Sequence, residues 1–115
     1  LGYDIEINLA DINEENFKIL SRMSPFGNSN YKPIFRTNNC CLAGNLKLMG
    51  KEKNHIKFQI TDSTDHKIQA LGFNMPEHYE QINNKEKFDI LYTISRNTFN
   101  NSSLLELNIK AISFK

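Results

Sequence analysis

The sequence predicts a mainly β chain: a small five-stranded closed barrel with a short helix, preceded by a strand–helix remnant of another domain. Three observations carry this. Ile56, Phe58 and Ile60 alternate with His55, Lys57 and Gln59, the period of a half-buried strand. Asp62, Ser63 and Asp65 then supply turn chemistry before Ile68–Phe73 resumes a β-prone run, so the two form a hairpin. Two more alternating runs, Phe88–Ser95 and Leu105–Ala111, are joined by the polar stretch Arg96–Ser103, read as a loop.

Taken in order, Tyr3, Ile5, Ile7 and Leu9 alternate with Asp4, Glu6 and Asn8, which predicts a strand with an acidic outer face. Asp11 or Asn13 offers an N-cap, and Glu14 and Glu15 suit the first turn of a helix. Phe17, Ile19, Leu20 and Met23 give that helix an apolar stripe, and Pro25 ends it near Met23. Residues 1–24 read as the tail of a preceding domain, because one strand and one helix cannot bury their apolar faces alone. Residue 1 is Leu rather than Met, which also points to a chain cut from something longer.

Pro25-Phe26-Gly27-Asn28-Ser29-Asn30 is a loop by every local signal. Phe35 opens a long β-prone region in which Gly44 marks a bulge or bend, as barrels need at their corners. Gly50–Asn54 turns the chain into the hairpin. Glu77–Ile82 is one or two helical turns with Tyr79 and Ile82 facing the core, followed by a polar turn. Five strands at close spacing with a small helix before the fourth match an OB-fold, the five-stranded Greek-key barrel. A flat β-sandwich with an open edge is the alternative.

Composition bounds the chemistry. With 39% hydrophobic and 23% charged residues the chain is globular rather than disordered. No apolar run approaches the ~20 residues of a membrane span, and the start of the chain is polar and acidic, unlike a signal peptide. Cys40 and Cys41 are adjacent, so on a strand they point to opposite faces and cannot clamp one metal or close a useful disulfide loop. Two such thiols suit a reducing cytoplasm. His55, His66 and His78 lack partners at zinc-ligand spacing, no serine sits in a nucleophile elbow, and no Gly-rich loop has the Walker pattern. No catalytic residue, metal ligand or cofactor site is therefore expected within this chain.

Charge is uneven. Residues 1–24 carry two cations against five acids, whereas residues 31–61 carry Lys32, Arg36, Lys47, Lys51, Lys53 and Lys57 against Glu52 alone. A basic block on a β scaffold points toward a polyanion. Single-stranded DNA needs cations for phosphates and flat rings for bases. Arg36, Lys47, Lys51, Lys53, Lys57 and Lys110 supply the first. Phe99, in a polar loop, and Tyr31 supply the second, while Tyr92 shares parity with Phe88 and Ile90 and reads as core.

Ser24-Pro25-Phe26-Gly27-Asn28-Ser29-Asn30 with Lys32-Pro33-Ile34-Phe35 resembles the PFG-x-GN-x-x-P-x-F passage of the RecJ family of bacterial single-stranded-DNA-specific exonucleases. His55-Ile56-Lys57-Phe58, Ala70-Leu71-Gly72-Phe73, Phe88-Asp89-Ile90 and Leu105–Lys110 resemble later strands of that family, in the same order and spacing. The resemblance implies that residues 1–30 are the end of a DHH-associated domain, with Pro25, Phe26, Gly27 and Asn30 as its loop, and that residues 31–115 are an OB domain gripping single-stranded DNA. It implies a nuclease centre in a separate DHH domain absent from this chain, where Asp and His bind a divalent metal, manganese or magnesium. The family digests single strands from the 5′ end in recombination and repair. The implied partners are single-stranded DNA, the catalytic domain of the same chain and other repair proteins, with no membrane; a structural or protein-docking clamp is the alternative. The sequence departs from the pattern at Ser29, at Phe99 where the family carries Trp, and at Glu106 where the family often has Gln.

Overall fold

The computed structural model describes residues 2–22, 32–99 and 101–115, with the side chains of Ser21 and Phe99 left out. The loop residues Pro25, Phe26, Gly27 and Asn30, together with Met23 and Tyr31, lie outside the described residues.

The order of elements is β1 (Ile5–Glu6), a 3-10 turn (Leu9–Asp11), α1 (Glu14–Arg22), β2 (Phe35–Met49), β3 (His55–Thr61), β4 (Lys67–Gly72), a 3-10 turn (Pro76–His78) running into α2 (Tyr79–Asn83), β5 (Phe88–Phe99) and β6 (Ser102–Phe114). The strands are ordered β1-β2-β3-β4-β6-β5, and β5 also pairs with β2. That second pairing closes β2 to β6 into a five-stranded barrel, as an OB-fold requires.

β2 makes closure possible because its two halves have different neighbours. Phe35–Cys40 pairs with β5, and Cys41–Met49 pairs with β3. The register slips on both sides of Gly44, whose φ of +154° is open to glycine and strained for other residues. The bend expected at Gly44 therefore lies within the half paired to β3, three residues after the strand changes partner at Cys40–Cys41. The hairpin of β3 and β4 runs in continuous register from Ile56↔Gly72 to Thr61↔Lys67. β4 then meets β6 in parallel, at Ala70↔Leu107 and Leu71↔Asn108.

The interior holds Phe35, Phe58, Phe88, Tyr92, Ile56, Ile60, Ile90 and Leu107, and Ile82 of α2 joins the same core. Phe35 stacks on Tyr92 at 5.8 Å, and Phe58 meets Phe88 edge-on at 6.3 Å. Tyr92 is core, as its parity predicts. Thr37 donates its one hydroxyl proton to the Ile7 carbonyl at 2.8 Å, so the Tyr92 hydroxyl, 2.7 Å away, donates to Thr37.

Leu9 and Ile12 lie in this same core, so the first residues are packed onto the barrel. The Leu9 amide donates to Asp62 at 2.8 Å. The other Asp62 oxygen accepts from the Thr64 amide at 3.0 Å and so closes the β3–β4 turn. Two local expectations need correction. The strand expected over Tyr3–Leu9 is only Ile5–Glu6, because β2 is its sole partner and Asp11 then accepts the Asn8 amide to turn the chain. The stretch Arg96–Ser103, expected as a loop, continues the ladder to Phe99↔Ser102. Arg96, Asn97, Thr98, Ser102 and Ser103 are polar and exposed, which hides the strand period.

Candidate nucleic-acid interface

β3 and β4 present one buried and one open face. Ile56, Phe58, Ile60, Ile68 and Ala70 point inward; His55, Lys57, Gln59, Lys67, Gln69 and Leu71 line the outer side. From Ile56↔Gly72 to Thr61↔Lys67 this floor runs about 17 Å at strand rise. Just beyond β4, Phe73 is 53% exposed and its ring sits edge-on to His55 at 5.1 Å.

Local bonds fix that ring pair. The Asn74 amide donates to His55 Nδ1 at 3.0 Å, and Asn54 donates to the Asn74 side chain at 2.8 Å. An Nδ1 that accepts leaves the neutral ring's hydrogen on Nε2. Gly50, at φ +92°, leaves room for the imidazole, since a Cβ there would come within 2.9 Å of His55 Cδ2.

The hairpin of β5 and β6 forms the opposite wall. Three hollows adjoin along the floor. One of about 300 Å³ lies between Met49, His55, Lys57, Phe73 and Glu106. One of about 290 Å³ lies between Lys57, Gln69, Asn97 and Leu104. One of about 430 Å³ reaches past Lys67 and His66 to Asn13 and Glu14 at the start of α1. Asn97 lines all three, which makes them one groove. Glu106 is only 8% exposed in its wall and accepts from Gln69 at 2.9 Å and Asn97 at 3.3 Å.

The groove is braced at the α1 end. Arg96 makes two bonds to Glu14, at 2.7 and 3.2 Å, and lies over the Phe17 ring at 5.3 Å. The guanidinium's hydrogen bond holds the Glu14 carboxyl below its ordinary range.

Of the six cations expected to meet DNA, Lys57 lines this groove, and Lys47, Lys51 and Lys53 belong to the β2–β3 ladder and the turn that joins it. Lys47 lies directly opposite Lys57 across β2 and β3, and Lys51 and Lys53 are exposed on the turn between those strands. Among the described residues no acid lies within 4.0 Å of Lys47, Lys57 or the unexpected Lys67. Arg36 is elsewhere: it bonds Asp89 at 3.2 Å, reaches Glu6 at 4.0 Å and lies over the Tyr3 ring at 5.5 Å. Lys110 is exposed on β6 and lines none of the three hollows. Tyr31 and the Phe99 side chain lie outside the described residues, as do Pro25, Phe26, Gly27 and Asn30. Sequence reasoning missed Phe73, Gln69 and Asn97. Parity could have found Phe73, since counting outward from Leu71 puts it on the wet side.

Among the described residues no three His, Cys, Asp or Glu side chains gather to hold a metal. Burial pushes the Cys40 thiol up to about 12, which makes it a poor nucleophile. No described helix is long and apolar enough to cross a membrane.

Residues 3–111 match the family model described as the RecJ OB domain. The chain is 30% identical over 107 residues to the single-stranded-DNA-specific exonuclease RecJ of Bacillus subtilis (strain 168), an alignment covering 93% of this chain and 13% of that relative's length. The chain belongs to the RecJ OB domain family.

Proposed function

We propose that this chain is the single-stranded-DNA-binding module of a RecJ-like 5′-to-3′ exonuclease acting in recombination and repair, with cleavage carried out by a divalent-metal centre outside these residues. The observation that carries the reading is the facing pair Lys47 and Lys57. Like charges directly opposite on a sheet are destabilising. Here no described acid offsets them, and they stand beside an exposed ring, Phe73, at the mouth of an open groove. A flexible polyanion relieves the repulsion by placing phosphates between the ammonium groups, while its bases meet the ring at roughly 1–3 kcal/mol each. A duplex holds its bases inside and gains less from Phe73. On this reading the 3-10 turn and α1 hold the barrel's far end against the rest of the nuclease, which supplies the catalytic domain as the natural partner.

Fluorescence anisotropy with labelled oligonucleotides tests it. Single strands bind in preference to duplex. With about four phosphates neutralised, affinity falls roughly 50-fold between about 50 and 200 mM salt. Equal affinity for both forms, or no response to salt, overturns the reading in favour of a protein-docking module.

A further inference from the structure

Glu106 is an odd residue for a DNA groove. It is a buried carboxylate in the wall of two of the three hollows, with no cation within 4.0 Å among the described residues. Its Oε2 accepts two bonds, from Gln69 Nε2 and Asn97 Nδ2. No hydrogen bond among the described residues uses Oε1, and no described buried side-chain oxygen is left without a partner, so Oε1 is open to the groove.

The carboxylate also sets its neighbours. It can only accept, so Gln69 and Asn97 must both turn their NH2 groups toward it. Their carbonyl oxygens therefore point away from Glu106, and none of the described hydrogen bonds uses either one. Both side chains line the groove. The wall thus offers a set of acceptors and repels phosphate, and such a surface recognises donors.

Resting on the single-strand reading above, we infer that Glu106, with Gln69 and Asn97, is a base-selecting site that accepts a hydrogen bond from an exocyclic amino group. Cytosine, adenine and guanine carry an exocyclic amino group on the pairing edge that single strands leave free. Thymine has none, and presents there two carbonyl oxygens flanking a single ring N–H. The hollow between Phe73 and Glu106, about 300 Å³, is at the lower end of small-ligand sites and suits one flat base laid against the ring.

The test compares oligo(dC) and oligo(dT) on the 115-residue chain, by anisotropy at one low salt concentration. Oligo(dC) binds about tenfold more tightly than oligo(dT), the scale of one good base contact. Glu106→Gln keeps a partner for Gln69 and Asn97 but frees their amides to reverse. It brings the two oligomers within about twofold of each other and raises affinity for oligo(dT), since the repelling charge is gone. Gln69→Ala, which unseats the carboxylate without removing it, lowers the preference in the same direction. Equal binding of both oligomers by the unaltered chain, with salt dependence intact, overturns base selection and leaves the DNA-binding reading standing. Binding of neither overturns both. A preference that survives Glu106→Gln unchanged overturns the role given to this residue.

Discussion

At the seam of β2 and β5, Arg36 and Lys115 converge on Asp89, at 3.2 and 3.3 Å, and the other Asp89 oxygen accepts the Asn39 amide at 2.9 Å. At the seam of β2 and β3, Lys47 and Lys57 face each other with no described acid within 4.0 Å. Both seams belong to one strand and both carry cations from the same basic block. The first arrangement is closed upon itself: Asp89 is 13% exposed and its bonds fix the bulge at Asn39. The second is unsatisfied by the protein and can be satisfied by a ligand. What separates a structural cation from a binding one is its partner, and that partner is set by the fold rather than by the local sequence.

The widest gap between the seams comes from reversing charge. Lys47→Glu with Lys57→Glu lowers single-strand affinity about a hundredfold at low salt, while one facing like-charge pair replaces another and stability holds. Arg36→Gln leaves affinity within about twofold and lowers stability by roughly 1 kcal/mol, read by urea denaturation. The aromatic residues divide in the same way. Phe73→Ala lowers affinity by about five- to a hundredfold, the loss of one stacked base, with stability within about 0.5 kcal/mol. Tyr92→Phe leaves affinity unchanged and costs about 1 kcal/mol of stability, because Thr37 loses the hydroxyl that donates to it.

A pH-dependent effect concerns Cys40, which pairs with Phe88 at the paired seam. Burial keeps its thiol protonated up to about 12, whereas in the unfolded chain the proton leaves near the ordinary value of 9.0. Stability is full below that ordinary value and falls as pH rises from it toward about 12, by up to about 1.4 kcal/mol per pH unit. Cys40→Ala removes that share of the slope, measured by denaturation at pH values on either side of the ordinary thiol range.

The β3–β4 hairpin was legible because strict alternation and a turn rich in Asp and Ser lie within one short stretch. Gly44 was legible as a bend for the same local reason. A closed barrel was expected from the number and spacing of the strands, but the pairs that close it were not legible, since Phe35↔Tyr92 and Ala70↔Leu107 join residues far apart in sequence and leave no periodic trace. The outward placement of Lys57 follows from strand parity and that of Lys51 and Lys53 from the turn, but Arg36 belongs to the same basic block and is occupied by Asp89, 53 residues away. Phe73 was hidden in an apolar run whose last residue passes the end of β4 and turns outward. Arg96–Phe99 escaped notice because both neighbours of an exposed ladder can be polar.

The most direct measurement is a backbone amide NMR titration of the chain with a short single-stranded oligonucleotide. Binding in the groove shifts the amides of His55, Lys57, Gln69, Phe73 and Glu106 and leaves Arg36, Asp89 and Lys115 in place. Shifts gathered at Arg36, Asp89 and Lys115, with the β3–β4 face silent, would contradict the account.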